Sequence, residues 1–311
     1  MAPVDVGIYL PQIGFDYAQI RDRAQAVEDL GLHSLWLFDH LYGPELPDRA
    51  SFEGWTLATA LLAQTTRLRV GQLVLSNTFR HPALLAKMAT TLDVISDGRL
   101  ELGIGSGSYP PEHARAGIPW GSFRERSAQL GESLEILTRA FAQPLTTFEG
   151  EHYAVRDLPN LPAPVQHPRP PIHIGGSGER FTLPLVARYA DVWNCPTYAL
   201  GDLAAKRAVL ERECGAIGRD PADIRISLEA VLVLGRDRAA LGDALALAER
   251  RFPGPGFGLH EGGFIGTPDE IVAKLQGHIA DGISFFIFFT HDRAEPETLR
   301  LLAEEVIPAL R

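Results

Sequence analysis

Asp39 and His40 end the run Ser34-Leu35-Trp36-Leu37-Phe38, which is apolar after its serine and has the length of a β-strand. A parallel strand covered on both faces stays apolar until its carboxyl end, where α/β proteins gather their reactive groups. An imidazole there exchanges protons near neutral pH, so His40 is a candidate general acid or base. The alternative is a buried structural histidine. Neighbours on an extended chain point to opposite faces, so no bond between Asp39 and His40 is expected.

Two glycine-rich turns offer a second kind of chemistry. Gly175-Gly176-Ser177-Gly178 stands between a predicted strand and a predicted helix, with Arg180 close by. Backbone N–H groups and the positive end of a helix suit a phosphate in such a turn, a plain connector being the alternative. Gly105-Ser106-Gly107 also follows a strand, and its expected use is close backbone approach to a flat ring. Glu112-His113 invites a metal reading, but adjacent residues lack the i, i+4 geometry of a helical metal site. His81, just before Pro82, reads as a helix-entry residue.

These groups need a frame, and the chain repeats short apolar runs alternating with helix-period segments. Strands are expected at Val4–Leu10, Leu32–Phe38, Leu68–Leu75, Leu100–Ile104, Pro171–Gly175, Asp191–Asn194, Ile224–Leu234 and Ser284–Phe289. Helices are expected at Tyr17–Leu30, Phe52–Gln64, Pro82–Ile95, Phe123–Phe141, Glu179–Tyr189, Leu203–Cys214 and Ala239–Arg251, with a last one ending near Leu310. That order predicts an α/β fold, a (β/α)₈ TIM barrel in one domain over 1–311, with insertions near 106–122, 144–171 and 252–266. Within the insertions, Phe148–Tyr153 resembles a small hairpin and Gly254–Gly263 a lid or a mobile connection. A doubly wound sheet would carry a dinucleotide fingerprint after its first strand, and Pro11-Gln12-Ile13-Gly14 is none.

In a barrel the residues after each strand converge on one mouth: Gln12, Asp39, His40, Ser76, Asn77, Ser106, Ser108, Ser177, Asn194 and His291. Most are polar and uncharged, which suits an aromatic cofactor held by hydrogen bonds better than a metal. Acidic residues outnumber Lys and Arg by 39 to 29, for a net charge of -10, which argues against a nucleic-acid surface. No apolar run reaches the roughly 18 residues of a membrane helix, and the start lacks a signal-peptide pattern. Two cysteines, Cys195 and Cys214, without metal spacing fit a reduced, cytoplasmic setting.

Taken in order, the motifs resemble the bacterial luciferase-like monooxygenase superfamily, and within it the branch that uses the deazaflavin coenzyme F420. The resemblance rests on Leu35–His40, on Gly71–Pro82 with Phe79-Arg80-His81-Pro82, on Arg99–Gly107, on Ile172–Arg180 and on Gly266–Glu270. It implies a luciferase-like barrel, usually a homodimer, with the coenzyme at the carboxyl ends of the strands. Asp39 would contact the deazaflavin, and His40 would serve the substrate as acid or base. Leu73-Val74 would form a non-prolyl cis peptide behind the ring. Gly105, Ser106 and Gly107 would approach the ring or its side chain, and Gly175, Gly176, Ser177 and Gly178 would hold the phosphate. Ser108 departs from relatives that carry a glutamate there, sugar-phosphate dehydrogenases among them. The implied activity is hydride transfer between F420 and a small organic substrate. A reduced-FMN monooxygenase and a catalytically silent flavin- or deazaflavin-binding protein are the alternatives.

Overall fold

The computed structural model describes residues 4–196, 199, 202–253 and 258–310. Its first five strands are β1 Asp5–Tyr9, β2 Ser34–Leu37, β3 Arg69–Gln72, β4 Leu75–Ser76 and β5 Leu100–Gly105. An antiparallel pair follows, β6 Leu145–Glu149 and β7 Ala154–Pro159. The rest are β8 Ile172–Gly175, β9 Val192–Pro196, β10 Arg225–Leu234, β11 Phe264–Gly266 and β12 Phe285–Thr290.

The strands β1-β2-β3-β5-β8-β9-β10-β12 pair in parallel, and β12 returns to β1 with Asp5 opposite Phe285, closing a barrel of eight. β4 continues the line of β3 beyond a bulge and pairs with β5, while β11 adds to β10. Every strand expected from the apolar runs is therefore a barrel stave. Closure leaves the barrel strands without open edges.

Ten helices accompany them among the described residues: α1 Tyr17–Asp29, α2 Gly54–Gln64, α3 Pro82–Ile95, α4 Pro110–Ala116, α5 Phe123–Ala142, α6 Thr182–Tyr189, α7 Leu203–Ile217, α8 Arg238–Arg251, α9 Pro268–Ala280 and α10 Pro296–Leu301. Local chemistry sets their ends. Asp16 and Gln19 form a capping box on α1, as Ser122 and Glu125 do on α5, and Pro82 opens α3 with His81 accepting the Ala83 N–H.

Several expectations need correcting. α6 begins at Thr182 rather than Glu179, so the glycine turn does not run straight into a helix. The segment 106–122 contains α4, and a full helix, α9, precedes β12. The last helix also breaks after Leu301 into a π turn and a 3₁₀ turn, where Pro308 has no N–H to continue an α-helix. The hairpin is longer than Phe148–Tyr153, its strands reaching back to Leu145 and on to Pro159.

Inside the barrel, Trp36, Leu73, Phe285 and Ile287 pack together with Tyr9 and Val74 against them. Burying a large side chain stabilises by roughly 1.5–3 kcal/mol. Towards the amino ends of the strands, the His173 Nε2 lies 2.6 Å from Glu101, which also takes the Arg69 guanidinium. Above this filling, space opens at the carboxyl ends, where the chemistry-bearing residues were expected.

Candidate active site

A cavity of about 320 Å³ opens at the carboxyl ends of the strands. Its wall includes Asp39, His40, Leu73, Val74, Ser76, Gly105, Ser106, Gly107, Gly175 and Gly176, which brings together all but two of the expected site residues. Ser177 and Gly178 are the two outside it.

The Leu73-Val74 peptide is cis, as the resemblance implied. It turns the chain between β3 and β4 so that Val74 lies against β5 and β8. A Cβ on Gly105 would come 2.8 Å from Val74 Cγ2, and one on Gly175 would come 3.2 Å from Val74 Cγ1. A Cβ on Gly103 would meet the Gln72 carbonyl oxygen at 2.0 Å. Glycine at these positions therefore makes room for the bulge itself, a more immediate need than the approach to a ring expected of Gly105. Gly107 differs, with φ of +86°, a backbone region that side chains seldom adopt.

Asp39 is buried and accepts two bonds from Arg80, at 2.7 and 2.8 Å, and one from the Ser76 N–H at 2.8 Å. It thus ties the end of β2 to β4 beyond the bulge. Burial pushes its carboxyl above the ordinary range, and the Arg80 and Ser76 bonds offset this in part. Arg80 also reaches Glu53 at 2.6 Å.

His40 has a partner that sequence reasoning missed. Its Nδ1 lies 3.0 Å from Oε2 of Glu112, a buried residue of α4 whose other oxygen accepts the Leu41 N–H. A carboxylate only accepts, so Nδ1 carries the proton and Nε2 is left to the cavity. Asp39 and His40 make no bond to each other, each being held by its own partner.

The neighbour of Glu112, His113, points to a different set. Its Nδ1 donates to the Tyr109 carbonyl at 3.1 Å, so Nε2 accepts from Thr78 Oγ1 at 2.6 Å, and Ser76 Oγ then donates to Thr78 at 2.7 Å. The short helix α4 thus fixes His40 through one residue and Ser76 through the next. The metal reading of Glu112-His113 gains no support, since no group of three possible metal ligands occurs among the described residues.

Other expected mouth residues fall elsewhere. Gln12 is fully buried, donating to the Phe38 and Phe52 carbonyls and accepting the Phe38 N–H, and does not reach the cavity. Asn77 and His291 are buried and do not line it, whereas Ser108 and Asn194 do. In the Gly175–Gly178 turn the Gly176 N–H is taken by the Asn194 carbonyl, and Arg180 lies over the Phe181 ring. Of the expected lid, residues 254–257 lie outside the described residues.

The unforeseen wall residues include Glu229 in mid β10 and Tyr9 at the end of β1. Desolvation by the surrounding protein pushes the Glu229 carboxyl up to about 7.

Comparison with known proteins places this geometry. Residues 1–270 match the luciferase-like monooxygenase family. The chain belongs to that family. Among curated members it is 27% identical over 327 residues to an F420-dependent glucose-6-phosphate dehydrogenase of Amycolatopsis mediterranei, covering 93% of each chain. Of solved structures, the coenzyme F420 dependent tetrahydromethanopterin reductase from Methanopyrus kandleri superposes with a TM-score of 0.82 at 18% identity, over 100% of both chains. An F420-dependent secondary alcohol dehydrogenase in complex with an F420-acetone adduct gives 0.82 at 18% identity, over 99% of both. At such identity the likeness is one of fold, and it assigns this luciferase-like chain the barrel described above. No helix among the described residues is long and apolar enough to cross a membrane. Its two free cysteines are both buried, which pushes the Cys195 thiol up to about 12.

Proposed function

We propose that the protein is an F420-dependent oxidoreductase that moves a hydride between the deazaflavin and a small organic substrate, with His40 as its acid–base residue. The observation that carries this reading is the His40–Glu112 pair on the wall of a cavity backed by the Leu73-Val74 bulge. The names of the relatives, F420-dependent enzymes in sequence and in fold, support it.

The residues present fit such a coenzyme. The back wall is Val74 flanked by glycine backbone, and the rim offers the hydroxyls of Ser76, Ser106 and Ser108 and the amide of Asn194. These are uncharged groups suited to the edge of a polar aromatic ring. When bound, the deazaflavin supplies two-electron hydride chemistry at carbon and reacts poorly with oxygen.

The chain's own part is orientation and proton handling. Leu73 and Val74 fix the plane of the back wall. Asp39 holds Ser76 in place and would border the coenzyme, while Gly105, Ser106 and Gly107 would line its side. The turn Gly175, Gly176, Ser177 and Gly178, of which Gly175 and Gly176 reach the wall, would lie towards the coenzyme's phosphate. His40 gives or takes the substrate's proton at Nε2, and Glu112 keeps the ring in the tautomer that makes this possible. A homodimer in a reducing cytoplasm completes the reading, in keeping with the two buried thiols.

Titrating the purified protein with F420 and with FMN tests the reading, F420 being expected to bind preferentially. Preferred FMN binding with oxygen consumption overturns it in favour of a flavin monooxygenase. His40→Ala is expected to lower turnover by about 100-fold or more and to leave F420 binding in place. Unchanged turnover removes His40 from its role.

A further inference from the structure

Glu112 serves His40, but His113, its neighbour on α4, has no part in that pair. The His113 side chain is buried, its ring stacked on Phe79 with centroids 4.9 Å apart and set against Trp120 at 4.4 Å. Trp120 in turn carries the Arg126 guanidinium at 3.5 Å. A ring packed in this way keeps one orientation, and its nitrogens stay where their bonds need them.

Those bonds run in one direction. A carbonyl oxygen can only accept, so the 3.1 Å contact between His113 Nδ1 and the Tyr109 carbonyl puts the proton on Nδ1 and leaves Nε2 an acceptor in the neutral ring. The Thr78 hydroxyl, 2.6 Å away, gives its one hydrogen to Nε2, so towards Ser76, 2.7 Å further on, it can only accept. Ser76 Oγ therefore directs its own hydrogen at Thr78. What it has left is acceptor capacity. Ser76 lines the cavity and Thr78 does not, so the chain of hydroxyls ends at the wall. Gly107 covers both of them: a Cβ there would come 2.9 Å from Ser76 Oγ and 3.5 Å from Thr78 Oγ1. The Ser76 N–H is meanwhile held by Asp39 at 2.8 Å, so both polar groups of this residue are set by the protein.

We infer that His113 is a positioning residue for the coenzyme: through Thr78 it holds Ser76 as a hydrogen-bond acceptor, and Ser76 in that state receives the N–H of the deazaflavin's dione ring. An oxidised ring of this kind has a single N–H, flanked by two carbonyls. A carbonyl placed on Ser76 would set acceptor against acceptor, so His113 fixes which atom of the ring edge meets the end of β4. This role rests on the F420-oxidoreductase reading and deepens it.

The test is a double-substitution cycle in the full chain, with F420 affinity measured by calorimetry for Ser76→Ala, His113→Phe and the two together. Phenylalanine keeps a ring between Phe79 and Trp120 and removes both nitrogens. Each single change is expected to weaken F420 binding about tenfold, the effect of one hydrogen bond. The double variant should bind within about twofold of either single one, because His113 acts only through Ser76. Losses that multiply to about 100-fold in the double variant overturn the inference, as does wild-type affinity in His113→Phe. In the wild type, ¹⁵N resonances of the His113 ring should show Nδ1 protonated and Nε2 bare. A proton on Nε2 reverses the chain and also overturns it. Should His113→Phe fail to fold, Thr78→Val breaks the same chain one link nearer the wall and takes its place in the cycle. Failure of the wild type to bind F420 strikes the underlying reading, whereas F420 binding with additive losses strikes His113 only.

Discussion

Glu112→Gln separates the positioning of His40 from its presence. In the wild type one carboxylate oxygen takes the Leu41 N–H and the other lies 3.0 Å from His40 Nδ1. An amide accepts through only one of its two terminal atoms. If its oxygen stays on Leu41, its NH₂ faces Nδ1 and forces the proton to Nε2, the wrong tautomer for a base. If its oxygen turns to His40, its NH₂ confronts the buried Leu41 N–H, which loses its acceptor. Hydrogen bonds to a charged partner contribute about 1.5–3 kcal/mol, equivalent to roughly 10- to 150-fold in rate if the loss falls on the transition state. Turnover of the F420-linked reaction, followed by the deazaflavin absorbance, should therefore fall in kcat by about 10- to 100-fold, with little change in KM. The buried N–H adds a stability cost of about 1–3 kcal/mol, visible as a Tm lowered by several degrees. Glu112→Asp should recover part of kcat. A kcat within about twofold of wild type, or a loss confined to KM or to F420 affinity, refutes the tautomer argument.

Asp39→Asn removes the charge that Arg80 clasps with two bonds and turns an NH₂ towards Arg80 or the Ser76 N–H. Breaking a buried pair costs about 3–5 kcal/mol, so Tm should fall by roughly 5 °C or more, and F420 affinity should weaken because Ser76 loses its anchor; an unchanged Tm contradicts this. Glu28 offers a pH test. Although burial alone would raise its carboxyl, bonds from the backbone N–H groups of Arg67, Leu68 and Thr66 hold it at about 2, against an ordinary 4.5. Because the folded value lies below the unfolded one, the stabilisation is present above about pH 4.5 and is lost as pH falls through about 2. Glu28→Gln should cost about 1–2 kcal/mol at neutral pH, and the gap between variant and wild type in urea midpoint should narrow on acidification. A gap independent of pH refutes it.

The barrel was legible because burial on both faces leaves a simple signature: eight apolar runs, each a stave, with the Asp39-His40 stop at the mouth. Turn and cap chemistry placed most helix ends within a few residues for the same reason, since it is local. α9 was overlooked although Thr267-Pro268-Asp269-Glu270 carries the signs of a helix start, and the box formed by Thr267 and Glu270 is indeed what caps it. The short α4 was hidden by the two prolines that open it, which read as a connection.

The chemistry was legible only where it lies at a strand end. Glu112 is 72 residues from His40, and its value as a partner depends on how α4 docks, which no spacing in the chain encodes. Gly105 shows a different limit: the residue type was read correctly as a close approach, but the approaching group is Val74, brought there by the fold. Glu229 did leave a signal. It is the one charged residue inside Ile226–Leu234, a run that otherwise suits a stave buried on both faces. A carboxyl at that position carries a desolvation cost that an apolar residue would not, and this cost is what raises it. The same reasoning applies to Glu101 and His173, charged or polar interruptions of β5 and β8, but these satisfy each other below the cavity and need no ligand. What distinguishes Glu229 is height in the barrel, at the level of the open mouth rather than the packed floor. A polar residue in a buried stave thus reaches the cavity wall or the packed floor according to its layer, and the layer is set by strand register.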